Sequence, residues 1–374
     1  MPKNMEYNNF LSKRLGIALP TWTVICPLVG VFLLMFAGVE RPVLFTLALA
    51  ASLVSVVLAA VHHAEVIAHR VGEPFGTLIL ALAITVIEVS LIVSLMLMEN
   101  TGISTLARDT VFAAIMLILT GIIGLCLLLG GYRYREQLFT LQGVSASLVT
   151  LTAISMLTLV LPNFTTSEPG PSYTKSQMVF VAVISLILYG GFVSVQTVRH
   201  RHYFLPRDAD GKVIEKSHAD PPSNITTIIS LLLLLAALYA VVMLSKKLSP
   251  TIEEIVVRFG APNSLVGVII AGVILLPEGL AAIRAARKNR LQTSLNLALG
   301  SALASIGLTI PAVAIVTVFM DFNVALGIDN KSILLLLLSL FTISISFNSG
   351  KTNIQQGVVL LVILATYLFT TVVP

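Results

Sequence analysis

Between Pro74 and Met98 the chain reads Pro-Phe-Gly-Thr-Leu-Ile-Leu-Ala-Leu-Ala-Ile-Thr-Val-Ile-Glu-Val-Ser-Leu-Ile-Val-Ser-Leu-Met-Leu-Met. Apart from small hydroxyl residues it is apolar throughout, with one carboxylate, Glu88. A helix needs about 20 such residues to cross the hydrocarbon core of a bilayer. A charge at its centre costs on the order of 3 kcal/mol even on the lenient insertion scale, so Glu88 is either protonated or paired with a cation. Thr85 lies one turn before it and Thr77 on the same helical face, which makes a narrow polar stripe in a greasy helix.

The rest of the chain repeats this texture. Its 374 residues are 56% hydrophobic and only 11% charged, where a soluble domain carries roughly a quarter of its residues as charges. A soluble globular enzyme is excluded, and so is a disordered chain. The apolar runs do not alternate, which excludes a transmembrane β-barrel. Eleven stretches are long enough to cross: 15–38, 43–67, 74–98, 110–131, 138–161, 177–198, 224–245, 262–284, 292–319, 331–348 and 354–373. The expected fold is an all-α polytopic membrane protein.

Charge fixes the orientation. With the N-terminus inside, sixteen of the 23 Lys and Arg fall on the cytoplasmic side, among them Arg70, Arg133, Arg135, Arg199, Arg201, Arg284, Arg287, Lys288, Arg290 and Lys351. This excess predicts a cytoplasmic N-terminus and an outer C-terminus. It also accounts for the net charge of +5 without a nucleic-acid partner. Cys26 and Cys126 both lie in apolar stretches, so neither a disulfide framework nor a cysteine metal cluster is available. The first apolar stretch is too long for a cleavable signal.

A self-comparison reveals a repeat. Glu65-Val-Ile-Ala-His-Arg-Val-Gly-Glu-Pro74 and Glu253-Glu-Ile-Val-Val-Arg-Phe-Gly-Ala-Pro262 agree at five of ten positions with an offset of 188. Each precedes an apolar stretch holding one lone glutamate, Glu88 in the first and Glu278 in the second. The division that follows is 1–40 for an N-terminal segment and extra helix, 41–198 for a first five-helix repeat, 199–223 for a cytoplasmic linker and 224–374 for a second repeat. Five is odd, so the second repeat enters the membrane from the opposite side. Inverted repeats of this kind mark secondary transporters, with binding near the midplane.

The second glutamate sits in Leu275-Leu-Pro-Glu-Gly279. Pro277 has no N–H to offer the preceding turn, so the carbonyls of Val273 and Ile274 are candidate backbone ligands. Two facing carboxylates make a site of charge −2 that takes one divalent cation or protons, and hard cations such as Ca²⁺ prefer such oxygens. Mutually exclusive occupancy by cation or proton is the minimal machinery of an antiporter. Further candidate ligands are Thr85, Asn296, Ser301 and Ser305; Ser301, Ser305 and Thr309 recur every four residues as one stripe. Thr120, Gly121 and Gly124 are packing candidates only, so the C-terminal half carries more oxygen.

These stretches resemble the calcium:cation exchanger superfamily, in its cation/proton antiporter branch, and within that the enterobacterial-type sodium(potassium)/calcium–proton antiporters. The likeness rests on His63-Ala-Glu-Val-Ile-Ala-His-Arg-Val-Gly-Glu-Pro-Phe-Gly-Thr-Leu-Ile-Leu80, Ile87-Glu88-Val-Ser-Leu-Ile92, Pro277-Glu278-Gly279, Gly300-Ser301 and Asn348-Ser-Gly-Lys-Thr-Asn353. It covers residues 40–374. It implies alternating access in a bacterial inner membrane, with Glu88 and Glu278 binding Ca²⁺ or H⁺ in turn. It implies no cofactor, and partners limited to membrane lipids, inorganic cations and protons, with the oligomeric state open. The family motif has Gly-Asn shortly before each glutamate and His after it. Here Ile84, Thr85 and Val89 stand in the first repeat, and Ile274, Leu275 and Gly279 in the second. Loss of those amide ligands keeps Na⁺ or K⁺ exchange open beside Ca²⁺.

Two other readings have less support. His62, Glu65 and His69 fall on one helical face near the predicted cytoplasmic mouth and are candidates for weak metal binding or pH sensing. The spacing His-Glu-x-x-His that an intramembrane metalloprotease requires occurs nowhere in the chain. A passive cation channel would call for a carbonyl filter, and no such motif is present.

Overall fold

A computed structural model describes residues 19–36, 43–72, 75–96, 104–205, 222–258, 260, 262, 264–320 and 323–373, without the side chains of 75–78, 94–95, 253, 256 and 257. The N-terminal basic residues, most of the linker, Glu73, Pro74, Ala261 and the Thr77 side chain lie outside the described residues. Each of the eleven predicted stretches falls on a helix. They are α1 Thr21–Met35, α2 Val43–Val71, α3 Phe75–Met96, α4 Leu106–Tyr134, α5 Leu141–Phe164, α6 Lys175–Arg199, α7 Asn224–Arg258, α8 Ser264–Ala286, α9 Leu291–Met320, α10 Asn330–Ser346 and α11 Ile354–Val372. Eight of them are long and apolar enough to cross a membrane by length and composition; the described apolar parts of α1, α3 and α10 are shorter. The chain is a polytopic all-α membrane protein.

Helix ends follow local chemistry. α6 starts at a reciprocal capping box, in which Thr174 accepts from the Gln177 N–H and the Gln177 side chain accepts from the Thr174 N–H. Asn353 and Gln356 do the same for α11. The repeated glycines have matching roles: φ is 79° at Gly72 and 66° at Gly260, a left-handed conformation that glycine adopts without a steric cost. At Gly72 the N–H closes α2 on the Ala68 carbonyl at 3.0 Å.

The described residues pack as two units, Met1–Ile87 with Ser217–Thr251 and Glu88–Lys216 with Ile252–Pro374. Each draws on both halves of the chain. In the first unit α1 lies against α2, and a Cβ at Gly30 would come within 2.8 Å of Val56, so only glycine permits that approach. The fully buried His63 fastens the pair, its Nε2 standing 2.9 Å from the Thr23 carbonyl.

In the second unit α9 is buried along most of its length and packs against α5, α6 and α8. α4 carries a π-helical turn at Leu117–Ile122 and packs on α8 and α11. At one end, strands β1 (Glu136–Leu138) and β2 (Lys351–Asn353) pair antiparallel, with Gln137 opposite Thr352. The Gln137 amide donates to the Ala286 carbonyl and to Asn289, each at 3.0 Å, which ties the short ladder to the loop between α8 and α9. At the other end Arg108 bonds Asp109 at 2.8 Å and the Gly327 carbonyl at 2.9 Å.

Candidate functional site

The second unit brings Glu88, from α3, and Glu278, from α8, to neighbouring positions on α9. Ser305 Oγ donates to Glu88 Oε1, and Ser301 Oγ donates to Glu278 Oε2. Four residues separate the two serines, so the carboxylates stand about one helical turn, roughly 6 Å, apart along α9. Glu88 is buried, with 4% of its surface exposed, and so is Ser305; Glu278 and Ser301 are half-buried.

Backbone geometry around Glu278 is unusual on two sides. Pro277 lies inside an uninterrupted α8. In a continuous helix only the carbonyl four residues before the proline loses its donor. Val273 therefore lacks its i+4 helical donor, whereas the position four after Ile274 is Glu278, which has an N–H. On the other side a Cβ at Gly279 would stand 3.2 Å from Ile122, the last residue of the π turn in α4. π turns displace backbone carbonyls from the regular ladder and recur at functional sites. That turn gives no sequence signal beyond Thr120 and Gly121.

Other predicted ligands are engaged elsewhere. Thr85 Oγ1 donates to the Ala81 carbonyl at 2.9 Å. Asn296 donates to the Phe204 carbonyl at 2.6 Å and accepts from Gln292 at 2.8 Å, so both ends of its amide are occupied in a loop-fastening network. Both carboxylate-bonding hydroxyls thus come from α9, in line with the expected surplus of oxygen in the C-terminal half.

Of His62, Glu65 and His69, the first two pair on α2. His62 Nδ1 lies 4.0 Å from Glu65, and its ring faces Trp22 with centroids 6.1 Å apart. Among the described residues no three His, Cys, Asp or Glu side chains gather as a metal site. Side chains on one helical face still fan outwards, and a shared face is not a shared focus. The histidine that matters to packing is the adjacent His63, which spacing did not single out.

The site so built offers four carboxylate oxygens and two hydroxyl oxygens, with the Val273 carbonyl, whose helical donor Pro277 removes, one turn before Glu278. That donor set suits a hard cation. Residues 40–198 and 229–373 match the family described as "Sodium/calcium exchanger protein". The chain is 45% identical over 359 residues to a "Putative ionic transporter y4hA" of Sinorhizobium fredii, covering 95% of this chain and 97% of that one. It is 33% identical to the "Sodium-potassium/proton antiporter ChaA" of Escherichia coli, covering 93% and 95%. The fold matches the crystal structure of an "H+/Ca2+ Exchanger CAX" with a TM-score of 0.70 at 15% identity, over 93% of this chain and 86% of that one. The chain belongs to the sodium/calcium exchanger protein family, within the calcium:cation exchanger superfamily.

Proposed function

We propose that the protein is a secondary active transporter that exchanges Ca²⁺, and Na⁺ or K⁺, for protons across the bacterial plasma membrane by alternating access. The observation that carries this reading is the pair of intramembrane glutamates held side by side on α9 by Ser301 and Ser305. Two carboxylates in one small volume repel unless a cation or protons neutralise them. Cation and proton then compete for the same oxygens, and binding of one expels the other. The inverted five-helix halves, read from the Gly72/Gly260 repeat, supply the two access states. The N-terminus is assigned to the cytoplasm from the distribution of basic residues.

A Na⁺(K⁺)/H⁺ exchanger with little Ca²⁺ activity is the second reading. It is favoured by the missing Gly-Asn amides and by a donor set with no third carboxylate among the described residues. The relative named as a sodium-potassium/proton antiporter points the same way.

Proteoliposomes given a pH jump decide the matter. Uphill movement of Ca²⁺, Na⁺ or K⁺ is expected in the wild type and is lost to background in Glu88→Gln and Glu278→Gln. Normal coupled exchange in either variant sinks the two-carboxylate site. Flux that only runs downhill identifies a channel. Offering the three cations separately ranks the two readings.

A further inference from the structure

Among the described residues only three carboxylates are not exposed: Glu88, Glu278 and Asp109. The first two make the candidate site, and the third lies in the first turn of α4. Arg108, beside it, is the one described arginine that is not exposed. Its Nε stands 2.8 Å from Asp109 Oδ1, and its Nη1 donates to the Gly327 carbonyl at 2.9 Å. Thr105 Oγ1 donates to Asp109 Oδ2 at 3.0 Å. Gly327 is itself held in place: its N–H donates to the Pro171 carbonyl at 2.9 Å, and a Cβ there would come within 2.6 Å of the Asn163 amide. One guanidinium thus fills a place lined by two carboxylate oxygens, a hydroxyl oxygen and a fixed carbonyl. Hard cations take such oxygens, and the present occupant is itself a cation.

α8 runs from this place to the central one. A Cβ at Gly267 would stand 3.1 Å from the Asp109 backbone. Glu278 follows Gly267 by eleven residues, close to three full turns, so the two share a face of α8 roughly 16 Å apart. The distribution of basic residues assigns the Gly267 end to the outside. We propose that Asp109, Thr105 and the Gly327 carbonyl form an outer staging site for the transported cation, closed in this state by Arg108. This rests on the transporter reading above and adds where a cation is first held on its way to Glu278. Arginine cannot shed its charge, so it must swing aside before a second positive charge can enter. Water reaches the pair, with 20% and 17% of the two side chains exposed, so the displaced guanidinium stays solvated. Arg108 and the cation therefore compete for the same oxygens, and the carboxylate is neutralised whichever of them is bound.

The test is the KM for added Ca²⁺ and for added Na⁺, measured with the full chain in membrane vesicles of both orientations. Right-side-out vesicles present the outer end to the added cation, and everted ones the cytoplasmic end. Asp109→Asn is expected to raise the KM in right-side-out vesicles about tenfold, the effect of losing one charged contact. Arg108→Gln removes the competitor, and the same KM is expected to fall about threefold. In everted vesicles both variants are expected to stay within about twofold of wild type. The opposite signs are decisive, because an ion pair that only fastens the loop would suffer in the same direction from either change. Shifts of the same sign overturn the staging site, and so do an unmoved KM in D109N and shifts that are not confined to right-side-out vesicles. If D109N does not purify as a monodisperse protein, the sign for R108Q decides alone, and a KM that is raised or unchanged overturns the site. If R108Q does not, Arg108→Lys replaces it; its ammonium reaches one partner at a time, and a fall of about twofold is expected. Glu88→Gln and Glu278→Gln run alongside. Exchange that survives in those two refutes the central carboxylate site, whereas inactive glutamate variants with an unmoved KM in D109N refute only the staging site.

Discussion

Glu88 and Glu278 each follow one copy of the short Glu-to-Pro sequence repeat, yet their surroundings differ. Glu88 stands between Ile87 and Val89 in a helix with no proline, almost wholly buried, its carboxyl held by a serine that is itself buried. Glu278 stands between Pro277 and Gly279, half-buried, beside a carbonyl without its helical donor and against a π turn. The first is a carboxylate on a stiff backbone; the second has slack and extra oxygen around it. The same short sequence repeat thus precedes two carboxylates whose local backbone chemistry differs. We assign Glu88 as the deep anchor of the site and Glu278 as the adaptable partner.

Shortening each side chain tests that division most severely. Glu88→Asp withdraws the carboxyl by one methylene from a helix that cannot follow it, and exchange is expected to fall about a hundredfold, on the scale of misplacing a reacting group by 1 Å. Glu278→Asp withdraws it by the same amount from a softer turn and is expected to lose only about tenfold. Initial rates of pH-driven cation uptake measure both. Equal losses would abolish the distinction between anchor and partner.

Removing the hydroxyls is the next largest perturbation. Ser305→Ala leaves a buried carboxylate without its serine donor and is expected to raise the apparent cation KM about tenfold. Ser301→Ala acts on a half-buried group that water can partly compensate, and about threefold is expected. The ranking matters more than either value. Should Ser301→Ala prove the more damaging, Glu278 is the deeper group in the working transporter.

These contrasts also mark where sequence reading stops. Apolar run length is a one-dimensional signal, and all eleven stretches fall on helices, most with ends displaced by a few residues and α7 running past its expected end at 245 to Arg258. Glu88 and Glu278 were legible because charges are so scarce, and Ser301 and Ser305 because a four-residue period survives in a helix. Which serine meets which glutamate was not legible, since it depends on how α3 and α8 pack on α9. Asn296 looked like a ligand by type, but Phe204 and Gln292 engage it through a fold-dependent contact 92 residues away in sequence. The three-residue strands β1 and β2 are too short to show a period of two. On the His62, Glu65 and His69 face, His62 pairs with Glu65, and no three metal-binding side chains gather among the described residues.

The smallest expected effect addresses the slack itself. Alanine at position 277 restores an N–H and closes the helical bond to the Val273 carbonyl. Proline in a helix interior is about 3 kcal/mol less favourable than alanine, so Pro277→Ala is expected to raise the melting temperature of the detergent-solubilised protein. If a free carbonyl and a soft turn assist Glu278, the same variant exchanges cations more slowly, by roughly threefold, despite being more stable. Stability and rate then move in opposite directions, which loss of folded protein cannot mimic. A more stable variant with an unchanged rate would mean that the Val273 carbonyl takes no part and that the adaptable behaviour of Glu278 resides in its side chain alone. Glu88, whose helix has no proline to replace, offers no counterpart to this experiment, and that absence is itself the difference between the two carboxylates.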